Sequence, residues 1–483
     1  MTAPAAPATL NDLIATVPNI VDHLFRNPPK NAMTIHTQMM PGDAVRPEFT
    51  TWRDEQWAWR NAIALHDQSF HMNSLTVRGP GAMALLQRLS VNSFRNFAVG
   101  RAKQLVACAP SGHLVGDAIL YRLAEEEFLV VGNPATTDWV EYHAGEAEGV
   151  EAELDPMWSL NRARRRRFYR FQVEGPGAMA LLAHLNGGDL PEIGFFASDF
   201  ITIAGCRVRA MRHSMGGVPG LELSGPWEER DGVLRALVAE GRPRGLRRIG
   251  SIAYFTTVIE SGWWAVPVPA VYTGQGTEGF RKWCSARHAA MRMSLGGSFH
   301  SPRIEDYYLS PYDLDYGHIV RFDHEFIGRE ALEAARDRPH RRKVTLVWNA
   351  DDVLAILATM LEAGEPAEKP LPVTLPLAAA ARMHVDRVTD AAGRTVGLAT
   401  YPAYTVNERA MMSLATVEAE HAAPGTELIL HWGEDGGGAR SAGNIEPHRQ
   451  VQIRVTVAPC PISRAAQSYR SAIGVRRGAL RAV

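Results

Sequence analysis

Cysteine is scarce: Cys108, Cys206, Cys284 and Cys460 are the four in 483 residues, far apart and without a Cys-x-x-Cys spacing. That excludes a zinc knuckle and a disulfide framework and leaves the expectation of ordinary buried thiols. Lysine is almost as rare, occurring at Lys30, Lys103, Lys282, Lys343 and Lys369, so the positive charge is carried by arginine. Neither sign of charge is in excess, since the formal net charge is -1. A nucleic-acid or acidic-membrane partner is therefore not expected, and a small-molecule partner is favoured. No apolar run reaches the roughly 18 residues of a membrane span. The Ala/Pro-rich start, Met1 to Leu10, lacks the basic and apolar regions of a signal peptide, so the expected location is cytoplasmic. Asp351 and Asp352 beside Asn349 lack the spacing of a calcium loop, and no metal is expected. Gly274, Gly276 and Gly279 spell a dinucleotide fingerprint, but the preceding residues contain prolines and no βαβ unit surrounds them, so the match is read as coincidence.

What is present is a repeat. Gly-Pro-Gly-Ala-Met-Ala-Leu-Leu occurs at Gly79 to Leu86 and again at Gly175 to Leu182. Each copy reads as a short strand, Leu75 to Val77 or Phe171 to Val173, running into a helix with Pro80 or Pro176 near its first position. Met83, Leu86 and Leu89, and likewise Met179, Leu182 and Leu185, fall at helical spacing and predict an apolar stripe on each helix. A duplicated unit often leaves a ligand cleft between its copies.

The length exceeds one core and implies roughly three domains. An N-terminal arm over 1–47 carries helical content from Leu10 to Phe25. Residues 48–275 alternate strand-like runs with helical ones such as Gly232 to Glu240 and form the duplicated α/β region. Residues 276–341 connect it to a β-rich C-terminal domain over 342–483, with runs such as Val344 to Trp348 and Glu427 to Trp432. The arginine run Arg162 to Arg167 reads as a solvated surface turn in preference to a contact for an acidic tail.

Two carboxylates stand out. Asp117 sits at a turn-to-strand boundary in PSGHLVGDAIL, where it either contacts a ligand or caps a turn. Glu222 lies inside an apolar strand, GLELSGP, and needs a partner; the amidine-like edge of a pterin would satisfy it by paired hydrogen bonds, and an outward-facing strand position is the alternative. SIAYFTTVIESGWW, from Ser251, adds Tyr254, Glu260, Trp263 and Trp264 in an apolar setting.

These segments, with PEFTTWRDEQWAWRNAIALHDQSFHM from Pro47, RHSMGGVPGLELSGP from Arg212, IEDYYLSPYDLDYG from Ile304 and FDHEFIGREALEA from Phe322, resemble the tetrahydrofolate-dependent aromatic O-demethylases of the vanillate and syringate type, in the glycine-cleavage T-protein superfamily. The resemblance implies an α+β fold of duplicated ferredoxin-like units around a folate cleft, with a C-terminal β-barrel or jelly-roll-like domain. It implies methyl transfer from an aryl methyl ether to N5 of tetrahydrofolate, with folate and a small aromatic acid as the partners. Tyr254 matches the catalytic tyrosine, which would assist the departing phenolate. Glu222 matches the folate-anchoring glutamate and Trp263 the aromatic residue of the folate site. Gln68 and His71 match substrate-pocket positions, although His71 also reads as a satisfied core histidine.

The chain departs from that pattern at several places. Gly116 precedes Asp117 where T-proteins keep an acidic pair. Asn133 stands where vanillate-type members carry the arginine that grips the substrate carboxylate, and asparagine has no cationic fork. Met33 to Gly42 has no tyrosine where the family supplies one. The acid group would then sit near His36 or His71, or the substrate is a different methoxyarene, a chlorinated methoxybenzoate such as dicamba being one candidate. Two rivals remain: a demethylase of a sulfonium or methylamine, and a folate-binding accessory protein without turnover.

Overall fold

The computed structural model describes residues 7–27, 40–42, 44–163, 165–287, 293–441 and 443–472. The two copies of the repeat begin two αβ units with the same strand order. The first copy is Asn73–Arg78, helix Ala82–Arg88, strands Ala102–Cys108, Leu114–Ala124 and Glu127–Gly132, helix Pro134–Gly145 and strand Glu151–Asp155. Its five strands pair in the order Ala102–Cys108, Leu114–Ala124, Glu127–Gly132, Asn73–Arg78, Glu151–Asp155. The second copy runs Phe168–Glu174, helix Ala178–Asn186, Ser198–Ile203, Cys206–Met211, Gly220–Pro226, helix Arg230–Gly241 and Leu246–Ile249. Its sheet has the same order with one insertion: strand Ile63–Asp67 slips between Phe168–Glu174 and Leu246–Ile249, making six. Each copy carries one strand more than the ferredoxin-like βαββαβ order.

Alternation along the strands separates two faces. In Phe168–Glu174 the side chains of Tyr169, Phe171 and Val173 are fully buried in a core shared with Ala178, Leu181, Val233 and Leu237 of the two helices. Arg170, Gln172 and Glu174, on the opposite face, are buried as well. A polar face without solvent must meet another layer, and here it meets the five-stranded sheet, through Ala102, Tyr121 and Val131 packed on Met211. The sheets thus lie face to face with their helices outside.

The repeated octapeptide has one geometric origin. Gly79 and Gly175 adopt φ of 111° and 116°, and a Cβ there would fall 2.3 Å from the Gly149 carbonyl oxygen or 2.5 Å from that of Ala62. Gly81 and Gly177 each donate a backbone hydrogen bond, 3.2 Å, to those same two carbonyls. Glycine lets the strand end cross its neighbour at both sites. The helices begin at Ala82 and Ala178, and Pro80 and Pro176 sit before the N-cap glycines instead of at the first helical position. The core stripe also shifts: Ala178, Leu181 and Leu182 are buried, whereas Met179 is exposed.

Among the described residues the arm forms two helices, Leu10–Thr16 and Ile20–Phe25, broken ahead of Asn19, whose side chain caps the second. Arg342–Trp348, Ala410–Val417, Thr395–Thr405, Asp386–Thr389, Glu427–Trp432 and Val451–Ala458 close into a six-stranded barrel filled by residues such as Leu346, Val388, Trp432 and Ile453. A second apolar cluster joins Met412 and Leu414 of the barrel to Val106, Leu114 and Trp264. Cys206 and Cys460 are half-buried, so the expectation of buried thiols holds for Cys108 and Cys284 alone. Arg166 is buried against Asp155, 3.3 Å away, so the arginine run is not a solvated turn throughout. No helix among the described residues is long and apolar enough to cross a membrane.

Candidate active site

A cleft of about 1730 Å³ opens where the two sheets, the barrel and the C-terminal helix Arg464–Ala472 meet. His71, Asp117, Asn133, Glu222, Tyr254 and Trp263 all line it. Gln68 does not line the cleft; it is buried, its backbone N–H donating 2.9 Å to the Arg170 carbonyl. His36 lies outside the described residues.

Tyr254 ends the short helix Ser251–Tyr254. Its hydroxyl is 2.9 Å from Nε2 of His71, and the two rings meet edge to face. Burial raises the Tyr254 pKa above its usual value, with the charge of Arg170 and the amide of Gln68 acting in the opposite direction. The phenol is therefore a neutral donor.

Glu222, on strand Gly220–Pro226, has its partner inside the protein. Arg170 donates from Nη2 to Oε2 at 2.7 Å and from Nε to Oε1 at 3.2 Å, and the Tyr121 hydroxyl donates to Oε1 from the opposite sheet. Burial alone would raise the Glu222 pKa, but Arg170, with His213 and Tyr121, outweighs it and holds the carboxyl below its usual range. The strands Gly220–Pro226 and Phe168–Glu174 pair with Glu222 opposite Gln172, which puts Arg170 one diagonal step away on the same face. Alternation in FYRFQVE was the signal that could have found Arg170; the pairing partner was not readable.

Asp117 lies within strand Leu114–Ala124, paired with Val106 of its neighbour, and not at a turn. Turn capping is therefore excluded. Its Oδ2 accepts from Gln104 at 2.5 Å, Tyr316 at 3.3 Å and Trp263 at 3.4 Å. Burial raises its pKa, and these donors offset part of the rise. The missing acidic neighbour has a steric reason: a Cβ at Gly116 would lie 2.3 Å from Thr136 Oγ1.

Asn133 is the N-cap of helix Pro134–Gly145, its Oδ1 accepting from the Thr136 N–H at 3.2 Å. The run Asn-Pro-x-Thr carries that signal in the sequence. Glu260 is structural: it accepts from Arg60 at 2.6 Å, Asn407 at 3.0 Å and Trp59 at 3.1 Å. Trp264 packs edge to face on Tyr401. The loop bearing His213 is tied down by Glu174, which accepts from Ser214 at 2.8 Å and from the Gly216 N–H at 3.0 Å, and meets His66 at 2.9 Å.

The cleft exceeds the roughly 300–1,000 Å³ of an ordinary small-ligand pocket, so it has volume for more than one small ligand. A buried carboxylate on one wall and Trp263 on another suit a pterin in donor set and shape.

The fold is that of an aminomethyltransferase: the glycine cleavage T-protein of Bartonella henselae superposes with a TM-score of 0.55 at 17% identity, over 85% of this chain and 89% of that one. Residues 29–267 match the GCVT N-terminal domain. Syringate O-demethylase of Sphingobium sp. is 40% identical over 462 residues, 95% of this chain and 97% of the relative. Sesamin methylene transferase of Sinomonas sp. is 30% identical over 80% of this chain and 82% of its own. The chain belongs to the tetrahydrofolate-dependent demethylases of the T-protein superfamily.

Proposed function

We propose that the chain transfers the methyl group of a small methoxylated aromatic acid to N5 of tetrahydrofolate, releasing 5-methyltetrahydrofolate and a phenol in the cytoplasm. The observation that carries this reading is the buried Tyr254 hydroxyl, 2.9 Å from His71 in the cleft that Glu222 and Trp263 also line.

Tetrahydrofolate, when bound, supplies the nitrogen lone pair that takes the methyl group. The protein acts at the oxygen that departs. The carbon–oxygen bond breaks with its electron pair moving to oxygen, and a phenolate leaves poorly unless a donor meets it. Tyr254 holds a proton there because burial keeps the phenol neutral. This role requires the His71 tautomer with hydrogen on Nε2, which donates to the tyrosine oxygen and leaves the tyrosine O–H for the ether. The proton gained by the product phenol balances the one lost from the nitrogen. Glu222 and Trp263 hold the pterin, Gln68 orients the Tyr254–His71 pair, and Asp117 fixes Trp263.

The substrate proposed is a methoxybenzoate with ring substitution unlike vanillate, chlorinated members such as dicamba included. Asn133 in place of an arginine supports that choice. Purified protein with tetrahydrofolate and a panel of methoxybenzoates, followed by mass spectrometry for 5-methyltetrahydrofolate, tests it. Product from one panel member is the expected result. Folate binding without product from any member overturns the proposal in favour of a non-aromatic donor or an accessory protein.

A further inference from the structure

Arg170 lines the cleft with Tyr254, and its present partner is the residue proposed to hold the pterin. We infer that Arg170 exchanges partners, neutralising Glu222 before ligands bind and turning to the substrate carboxylate once a pterin edge has taken Glu222. This inference rests on the reading above.

The two paired contacts, Nη2 to Oε2 at 2.7 Å and Nε to Oε1 at 3.2 Å, occupy both oxygens of Glu222 along one edge. Paired donors on a pterin need that same edge, and a carboxylate offers it to one fork at a time. Tyr121 donates to Oε1 from the other sheet and can stay through the exchange. The displaced guanidinium cannot remain alone, because its side chain is only 5% exposed and an unpaired buried charge is costly. Its Nη1 faces the Met72 thioether at 3.8 Å, a weak acceptor that a carboxylate would readily replace. Arg170 also lines the cleft with Tyr254 and His71, and its charge is close enough to lower the Tyr254 pKa. An acid group on the ring whose ether oxygen meets Tyr254 is therefore within its surroundings. His213, 3.9 Å from Glu222, does not substitute, since burial favours its neutral form. Asn133 does not either, because its amide carries no charge to match a buried carboxylate.

The consequence is positive coupling between folate and aromatic acid, equal in both directions by linkage. Titration calorimetry with 2-, 3- and 4-hydroxybenzoate and the matching amides, with and without tetrahydrofolate, measures it without turnover. Tetrahydrofolate should tighten at least one hydroxybenzoate on the order of five- to 150-fold and leave its amide unchanged. Arg170→Met, which removes the fork and leaves Glu222 to hold the pterin, should keep a native circular dichroism spectrum and tetrahydrofolate binding and lose the coupling. Arg170→Lys keeps the charge but not the fork and should show reduced coupling. Absence of coupling for every isomer in the wild type, or undiminished coupling in either variant, overturns the exchange. A missing 5-methyltetrahydrofolate product, with coupling present, would instead count against the proposed reaction alone.

Discussion

At Tyr254 the structure separates binding from chemistry. The phenol's hydroxyl is paired with His71, not with Glu222 or Trp263, so Tyr254→Phe, which keeps the ring, should leave tetrahydrofolate affinity near that of the wild type. Removing a positioned donor costs roughly 10²–10⁴ in rate, and single-turnover formation of 5-methyltetrahydrofolate should fall by that much. The pH dependence has a definite sign. Burial raises the tyrosine pKa above 10.0, so the neutral donor persists through that pH and activity should show no alkaline decline from Tyr254 below about pH 10. A pH–rate profile of the chemical step checks this, and a tyrosine-dependent decline near pH 8 would contradict the neutral-donor role. Arg170 marks the limit of what could be read at this scale. Its residue type and its place in an alternating strand are in the sequence, but its pairing with Glu222 depends on which strands become neighbours.

At the scale of elements, the repeat was legible because its cause is local. A glycine must stand where each strand end passes under a carbonyl, and the same need produced the same letters twice. Gly175→Ala places a Cβ 2.5 Å from the Ala62 oxygen at φ 116°, so it should destabilise by at least about 1–3 kcal/mol, read as a shift of the urea midpoint. The Gly-Pro step points to a helix start two residues early, and the bonds of Gly81 and Gly177 to Gly149 and Ala62 on other segments are not readable from it. Asp117 was misplaced for a similar reason: the Gly-containing turn before it suggested a boundary, and only pairing with Val106 continues the strand. Glu174 gives an element-level test of pH dependence. Burial opposes its ionisation, but His66, Gly216 and Ser214 outweigh burial and hold its pKa below 4.5. Its stabilisation is therefore complete above 4.5 and lost as pH falls through the lower folded value. Glu174→Gln should cost about 1.5–3 kcal/mol at neutral pH, and the deficit relative to the wild type should shrink on acidification below pH 4.5. Paired urea titrations at several pH values decide it.

At the scale of the molecule, the cleft is a seam. Glu222 comes from one sheet and Asp117 from the other, Lys343 from the barrel, and Arg470 from the terminal helix, which itself donates 2.8 Å to the Ser261 carbonyl. A ligand held there binds only the assembled chain, because no single piece carries its contacts. Binding to the folded state alone stabilises by about 2.7 kcal/mol at a hundredfold excess over Kd. An unfolding entropy near 2.1 cal/mol/K per residue gives this chain of 483 residues about 1 kcal/mol/K, so tetrahydrofolate should raise Tm by roughly 3 °C. The variants divide the seam by role. Tyr254→Phe should keep the full shift, since it acts at the departing oxygen. Glu222→Gln should lose most of it, because a neutral amide offers one acceptor where the pterin edge needs two. Differential scanning calorimetry with and without tetrahydrofolate reads both. A full shift in Glu222→Gln would remove Glu222 from the folate site, and a lost shift in Tyr254→Phe would make that tyrosine a binding residue instead of the donor to the ether oxygen.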